Sequence, residues 1–212
     1  MVFSSRYVHR FPCSRTETHP RHSPFAIELS FQVNNRLPRL SVIHLPHLKL
    51  TKMSIEVVEV DYGNETHGQH LFQLLNEYAA EPMGGGEPIA EEKQPEIVQG
   101  LADFPTSFSL IVYVDGQPAA LTNCFFGFST FAASKLINIH DLMVSKDFRG
   151  QGLSQLLLDS VEKKARENGC CKLTLEVLSN NEVAKNSYKK YGFEGYELDP
   201  SAGEAIFWQK KL

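Results

Sequence analysis

Residues 137–193 read INIHDLMVSKDFRGQGLSQLLLDSVEKKARENGCCKLTLEVLSNNEVAKNSYKKYGF and hold a complete strand, turn, helix, strand, helix unit. Apolar residues alternate through Ile137 and Ile139 and continue as the run Leu142, Met143 and Val144. Lys146, Asp147, Arg149, Gly150, Gln151 and Gly152 then make a polar, glycine-bearing turn. Beyond it Leu153, Leu157, Val161 and Ala165 recur every fourth residue, Leu156 and Leu158 widen the stripe, and Asp159, Glu162, Lys163, Lys164 and Arg166 fill the opposite face. This pattern predicts an amphipathic helix, stopped by Asn168-Gly169. Cys171, Leu173, Leu175 and Val177 alternate with Lys172, Thr174 and Glu176, the period of a strand. Two strands joined through a crossover helix lie parallel. A second helix is expected from about Asn181, with Ala184, Tyr188 and Tyr191 at helical spacing and Gly192 ending it; Ser179 with Glu182, Asn180 or Asn181 are alternative caps.

The turn has its own chemistry. Glycines at 150 and 152 remove side chains where backbone N–H groups converge at the positive end of a helix dipole, a good seat for a diphosphate, with the fixed charge of Arg149 beside it. In isolation a Gly-x-Gly turn is explained equally well by backbone angles alone.

The stretch Arg149-Gly150-Gln151-Gly152-Leu153-Ser154 resembles the acetyl-CoA pyrophosphate motif of the GNAT N-acetyltransferase family, with Ser154 in place of the usual Gly or Ala. Asn181, Ala184, Tyr188 and Gly192-Phe193 resemble the family's second pattern, Asn-x-x-Ala-x-x-Leu-Tyr-x-x-x-Gly-Phe, with Ser187 in place of Leu. The two stand in register, one strand apart. The resemblance covers residues 54–212 and is firmest in the second half.

Charge divides the chain. Residues 1–52 carry eight Lys and Arg against Glu17 and Glu28, five of the eight histidines, five prolines and no clean periodicity. Residues 53–212 carry 13 basic and 23 acidic groups, net −10. We therefore expect a basic extension over 1–52 and an acetyltransferase domain over 53–212. The extension is read in three ways: upstream sequence with Met53 as the true start, a disordered basic arm for an acidic partner, or an organellar transit peptide. No run of about 18 apolar residues crosses a membrane. Cys13, Cys124, Cys170 and Cys171 form no C-x-x-C, which argues for free thiols and a reducing, cytoplasmic setting, with neither disulfides nor zinc.

From Met53 the pattern is regular. Residues 54–60 read as a strand and 67–81 as a helix with Leu71, Leu74, Leu75 and Tyr78 on one face; Gly84, Gly85 and Gly86 between prolines make a loop whose backbone lies close to something or is a plain linker. Ile97, Leu101 and Phe104 suggest a second helix. Phe108 to Val114 and 119–128 flank the hairpin signal Asp115-Gly116. Residues 127–134 read as an apolar loop; Phe125, Phe126, Phe128 and Phe131 are assigned to the core, with a share for an acceptor pocket. A closing hairpin is expected from Tyr196 to Trp208. The fold class is therefore α/β (α+β): a mixed, mostly antiparallel central sheet with one parallel βαβ crossover and flanking helices, the arrangement of the GNAT fold.

The resemblance implies an acetyl-CoA-dependent N-acetyltransferase acting by direct attack of a primary amine on the thioester, the acceptor being a small molecule or a protein amino group. No metal, nucleic acid or membrane is implied, and a homodimer is compatible. By the resemblance, Leu142, Met143 and Val144 line the pantetheine and offer an oxyanion N–H; Arg149, Gly150, Gln151, Gly152, Leu153, Ser154 and Asn181 hold the cofactor; Tyr188 is the general acid for the thiolate. His140 stands where one branch of the family carries a catalytic histidine, and its ordinary pKa near ~6.5 suits a base. The base is otherwise Asp141, placed on the opposite face by strict alternation, or water. Glu77 and Glu81, one turn apart, form either a seat for a cationic amine or a solvated face. Two rivals stand beside this: a non-catalytic acyl-CoA-binding module, and a dinucleotide-binding domain, which Gln155 in place of the third glycine and the short remaining chain argue against.

Overall fold

The computed structural model describes residues 53–195 and 207–212. The readings of residues 1–52, and the expected hairpin over 196–206, lie outside them. Five strands form one sheet in the order β1 (Ile55–Glu59), β2 (Ser107–Val114), β3 (Gln117–Ser129), β4 (Ser134–Val144), β5 (Leu173–Leu175). All neighbours are antiparallel except β4 and β5, which are parallel. Helices α1 (Glu65–Ala79) and α2 (Gln94–Asp103) separate β1 from β2, α3 (Leu153–Glu167) crosses from β4 to β5, and α4 (Glu182–Tyr191) follows. The mixed sheet expected from the alternation is thus present. Among the described residues no helix is long and apolar enough to cross a membrane.

The sheet divides two cores. On one face Leu153, Leu157, Leu158, Val161 and Ala165 of α3 pack on Leu110, Val112, Ala120, Ile137 and Ile139. On the other, Leu71 and Leu74 of α1 pack on Ile111, Leu121 and Met143. Each such fully buried aliphatic side chain contributes about 1.5–3 kcal/mol.

A bulge in β4 decides which residue goes to which core. Asn123 pairs with Asp141 and Cys124 with Ile139, so His140 is an extra residue in the strand. Before it Ile137 and Ile139 face α3; after it Leu142 and Val144 do so, and Met143 turns to α1. Uninterrupted alternation would have put Ile137, Ile139, Asp141 and Met143 on one face. The bulge also corrects the expectation that His140 and Asp141 point oppositely. His140 packs its ring on Phe125 and Asp141 bonds Asn123, two alternate residues of β3 that share a face.

Other boundaries moved for local reasons. The second strand of the crossover, expected over 171–177, pairs only through Leu173, Thr174 and Leu175, because β4 leaves it after Ile139. Helix α1 begins at Glu65, where the Asn64 side chain accepts the N–H groups of Thr66 and His67 at 3.0 and 3.3 Å. The triple glycine folds back on the end of that helix: a Cβ on Gly84 would fall 1.9 Å from the Tyr78 carbonyl oxygen. The expected loop 127–134 is half strand, since β3 runs to Ser129 and β4 starts at Ser134, which leaves a turn over 130–133. Phe126 packs against the α3-side core, but Phe128 and Phe131 are exposed, so the aromatic run is not all core.

Candidate active site

The parting of β4 from β5 creates an opening in the sheet at the C-terminal ends of the two parallel strands. Ser145 donates its N–H to Ala119, and the register pairs Met143 with Leu121. Alternation then directs the backbone polar groups of Met143 to β3 and those of Leu142 and Val144 to the open edge. The Val144 carbonyl is already engaged there, accepting from Arg149 Nε at 3.1 Å. Of the three strand residues expected to line a ligand, Leu142 and Val144 present backbone to the opening, while the Met143 side chain is buried in the α1-side core.

The glycine turn follows directly. Gly150 and Gly152 have φ of 78° and 80°, the left-handed region in which glycine alone is unstrained. Gly152 is the N-cap of α3, whose first intrahelical bonds are donated by Gln155 and Leu156 to the Gly152 carbonyl. The N–H groups of Gly150, Gln151, Gly152, Leu153 and Ser154 have no acceptor among the described residues. Nothing lies within 4 Å of a Cβ placed on either glycine. Five consecutive free donors, in open space at the positive end of a 15-residue helix, form a concavity for an anion.

The loop is held from α1. Glu77 accepts the Lys146 N–H at 3.0 Å, and Glu81 pairs with the Arg149 guanidinium. The two carboxylates expected to receive an amine or face water instead grip the turn, and the fixed charge of Arg149 has a carboxylate partner. Sequence spacing carries no signal of this contact, because the partners stand 68 and 69 residues apart.

Helix α4 supplies Tyr188. Asn181, expected to touch the cofactor, caps this helix by accepting the Ala184 N–H at 3.1 Å, and Gly192 ends it at φ 108°. The Tyr188 ring meets Phe193 edge-on at 5.8 Å, and burial, then the neighbouring Tyr78 phenol, push its pKa up to about 12. Tyr188 packs on one face of the sheet and Tyr78 on the other, so the influence of Tyr78 on Tyr188 passes between the two faces. Tyr78 itself is raised by burial first, then by the charges of Asp141 and Glu81. Tyr191, the alternative proton donor, is turned away: its hydroxyl donates to Asp159 at 3.0 Å and Glu162 at 2.7 Å on α3. The two departures from the family pattern are innocuous here. Ser154 contributes one of the free N–H groups, and Ser187 Oγ accepts from Gln155 Nε2 at 3.0 Å, linking α4 to α3.

The site therefore gathers the glycine turn, the open edge at Leu142 and Val144, Tyr188, and the neighbours His140 and Asp141. Tyr78, Asn123 and Ser109, which connect to Asp141 by charge or by a hydrogen-bonded path, were not singled out by the sequence. Ser109 and Asn123 did leave a signal: each is a polar residue at an inward position of an otherwise apolar strand.

Comparison with known proteins bears on the family and the fold. The family model described as Acetyltransferase (GNAT) family matches residues 68–193. An uncharacterized N-acetyltransferase of Bacillus subtilis is 40% identical over 55 residues, 26% of this chain and 35% of that protein. The chain thus spans about a third of that relative. A thialysine N-epsilon-acetyltransferase of Bos taurus is 32% identical over 165 residues, 71% of this chain and 92% of the relative. Among solved structures, an integron cassette protein from V. cholerae superposes with a TM-score of 0.63 at 19% identity, covering 75% of this chain and 94% of its own. The aminoglycoside N-acetyltransferase AAC(6')-Iy, in complex with CoA, gives 0.62 at 17% identity, covering 78% and 100%. At those identities the superpositions carry the fold.

Proposed function

The chain belongs to the acetyltransferase (GNAT) family, and from that premise we propose that it moves an acetyl group from acetyl-CoA to a primary amine by direct attack. The observation that carries this is the row of five unpartnered N–H groups from Gly150 to Ser154, set beside an open strand edge and a half-buried tyrosine. Acetyl-CoA supplies an activated thioester; the rest is the work of this chain.

The free N–H groups of the turn and the α3 dipole suit a diphosphate. The open edge of β4 suits an extended, amide-bearing pantetheine arm, which adds alongside it as a further strand would. An N–H of Leu142 or Val144 stands ready to stabilise the oxyanion that develops on the carbonyl. Tyr188 protonates the departing thiolate. Its phenol, at about 12, is a weaker acid than in water. Against a thiol near ~8.5 the step is uphill by roughly 5 kcal/mol, narrowed because the same burial raises the thiol as well. His140, exposed beside Phe125, accepts the proton of the incoming ammonium, and Asp141 faces the acceptor from the same side of β4.

The acceptor is sought by following thiol release from acetyl-CoA across a panel of amines. Release with at least one amine, and a rise in melting temperature with acetyl-CoA but not with NAD or NADP, is the expected result. A melting shift without thiol release from any amine would favour the acyl-CoA-binding module.

A further inference from the structure

A line of polar side chains, buried in its middle and half-buried at both ends, crosses the α1 face of the sheet from its far side to Asp141. Tyr62, just beyond β1, lies 2.9 Å from Ser109 Oγ on β2; Ser109 lies 2.6 Å from Asn123 Oδ1 on β3; Asn123 Nδ2 lies 2.9 Å from Asp141 Oδ2 on β4. Ser109 is 0% and Asn123 2% exposed, inside otherwise apolar strands.

The direction of every bond follows from one fact. A carboxylate only accepts, so Asn123 must turn its NH2 group to Asp141 and its oxygen to Ser109. Ser109 must then donate to Asn123, and its remaining lone pairs must accept the Tyr62 hydroxyl. Each donor points toward Asp141. A chain of bonds all running one way polarises its members in the same sense, and so strengthens the last one. Thr122 fixes the same residue from behind, donating to the Asp141 carbonyl at 2.8 Å. The three buried polar side chains, Ser109, Thr122 and Asn123, would otherwise be a liability, since unpartnered buried polar groups are costly. Among the described residues no buried side-chain nitrogen or oxygen lacks a partner.

We propose that Tyr62, Ser109 and Asn123 are positioning residues for the transfer: a one-way hydrogen-bond chain that holds Asp141 Oδ2 and leaves Oδ1 aimed at the acceptor amine. The proposal rests on the reading that Asp141 faces the acceptor. It places a determinant of amine handling at Tyr62, three strands from β4 and joined to Asp141 through Ser109 and Asn123.

The test is a double-mutant cycle in the full chain. Tyr62→Phe removes only the remote hydroxyl; kcat/KM for the amine should fall about three- to tenfold, the size of one lost hydrogen bond, with the KM for acetyl-CoA unchanged. Ser109→Ala should lose at least as much. In an Asp141→Asn background Tyr62→Phe should add nothing, because its only route to the reaction is gone. Equal losses in both backgrounds, or a fall in melting temperature with amine kinetics intact, would reduce the chain to packing. If Asp141→Asn leaves amine kinetics untouched, the proposal falls while thiol release still upholds the transferase. Should Tyr62→Phe fold poorly, Ser109→Ala carries the same cycle.

Discussion

At the scale of single residues, Tyr188 and His140 have opposite surroundings and so opposite tests. Tyr188 is half-buried against Phe193 and its pKa rises to about 12. It therefore stays protonated through the neutral and mildly alkaline range. Tyr188→Phe, which keeps the ring, should leave acetyl-CoA binding near native and lower turnover by roughly 10²-fold in an assay limited by chemistry. The kcat profile should show no falling limb from this phenol below about pH 10; a limb near pH 8 or 9 that disappears in the Phe variant would contradict the assignment. The raised pKa also bears on stability. A group whose folded pKa lies above its unfolded value of 10 contributes in full below that pH, and the contribution drains away as pH climbs toward 12. Tyr78, Tyr113 and Tyr191 are raised as well, burial leading in each case, so the alkaline loss is shared and Tyr188→Phe should relieve only part of it. For His140→Ala, turnover should fall with acetyl-CoA binding intact, and the deficit should shrink as pH rises and free amine becomes abundant. Unchanged kinetics at every pH would leave His140 as a ring packed on Phe125.

At the scale of elements, the turn before α3 was the most legible part of the chain. Its glycines, the leucine stripe of the helix and the Asn168-Gly169 stop are local signals, and the helix appears as Leu153–Glu167. Local signals also account for the caps, where the open choice fell to Asn181. Gly152→Val tests the turn. A branched side chain at φ 80° is strained, and it would stand among the free N–H groups. The acetyl-CoA melting shift should disappear while the unliganded protein stays folded; a shift of unchanged size would move the diphosphate elsewhere. What the sequence hid at this scale is contact between elements. The hold of Glu77 and Glu81 on Lys146 and Arg149, and the Tyr191 hydroxyl on Asp159 and Glu162, join helices to segments far along the chain. Exposed pairs of this kind are each worth little, about 0–1 kcal/mol, and serve to set geometry more than to add stability.

At the scale of the whole molecule, one sheet keeps two cores apart and opens where β4 parts from β5. The residues of the candidate site could be named from motifs, but their meeting could not, because the opening exists only where β4 leaves β5 after Ile139. The cause is the extra residue at His140, which no alternating pattern announces. A strand that feeds two cores has, in effect, a reading frame. His140 acts as a one-residue frameshift, after which every side chain is delivered to the opposite compartment. Substituting His140 leaves that frame alone, so His140→Ala should fold. Deleting it joins Ile139 directly to Asp141 and removes only the residue that has no partner on β3, so Leu142 and Val144 stay toward α3 and Met143 and Asp141 toward α1. The deletion should therefore cost less stability than removal of a buried aliphatic side chain, which is about 2–5 kcal/mol, while the acetyl-CoA melting shift shrinks because the bulge no longer parts β4 from β5; melting of the purified protein with and without acetyl-CoA would show both. The same frame sets a rule for engineering β4: residues may be exchanged one for one along it, and the single unpaired residue may be taken out, but a residue added between Ile139 and Leu142 must be taken up in the bulge or it turns Leu142 and Val144 toward α1.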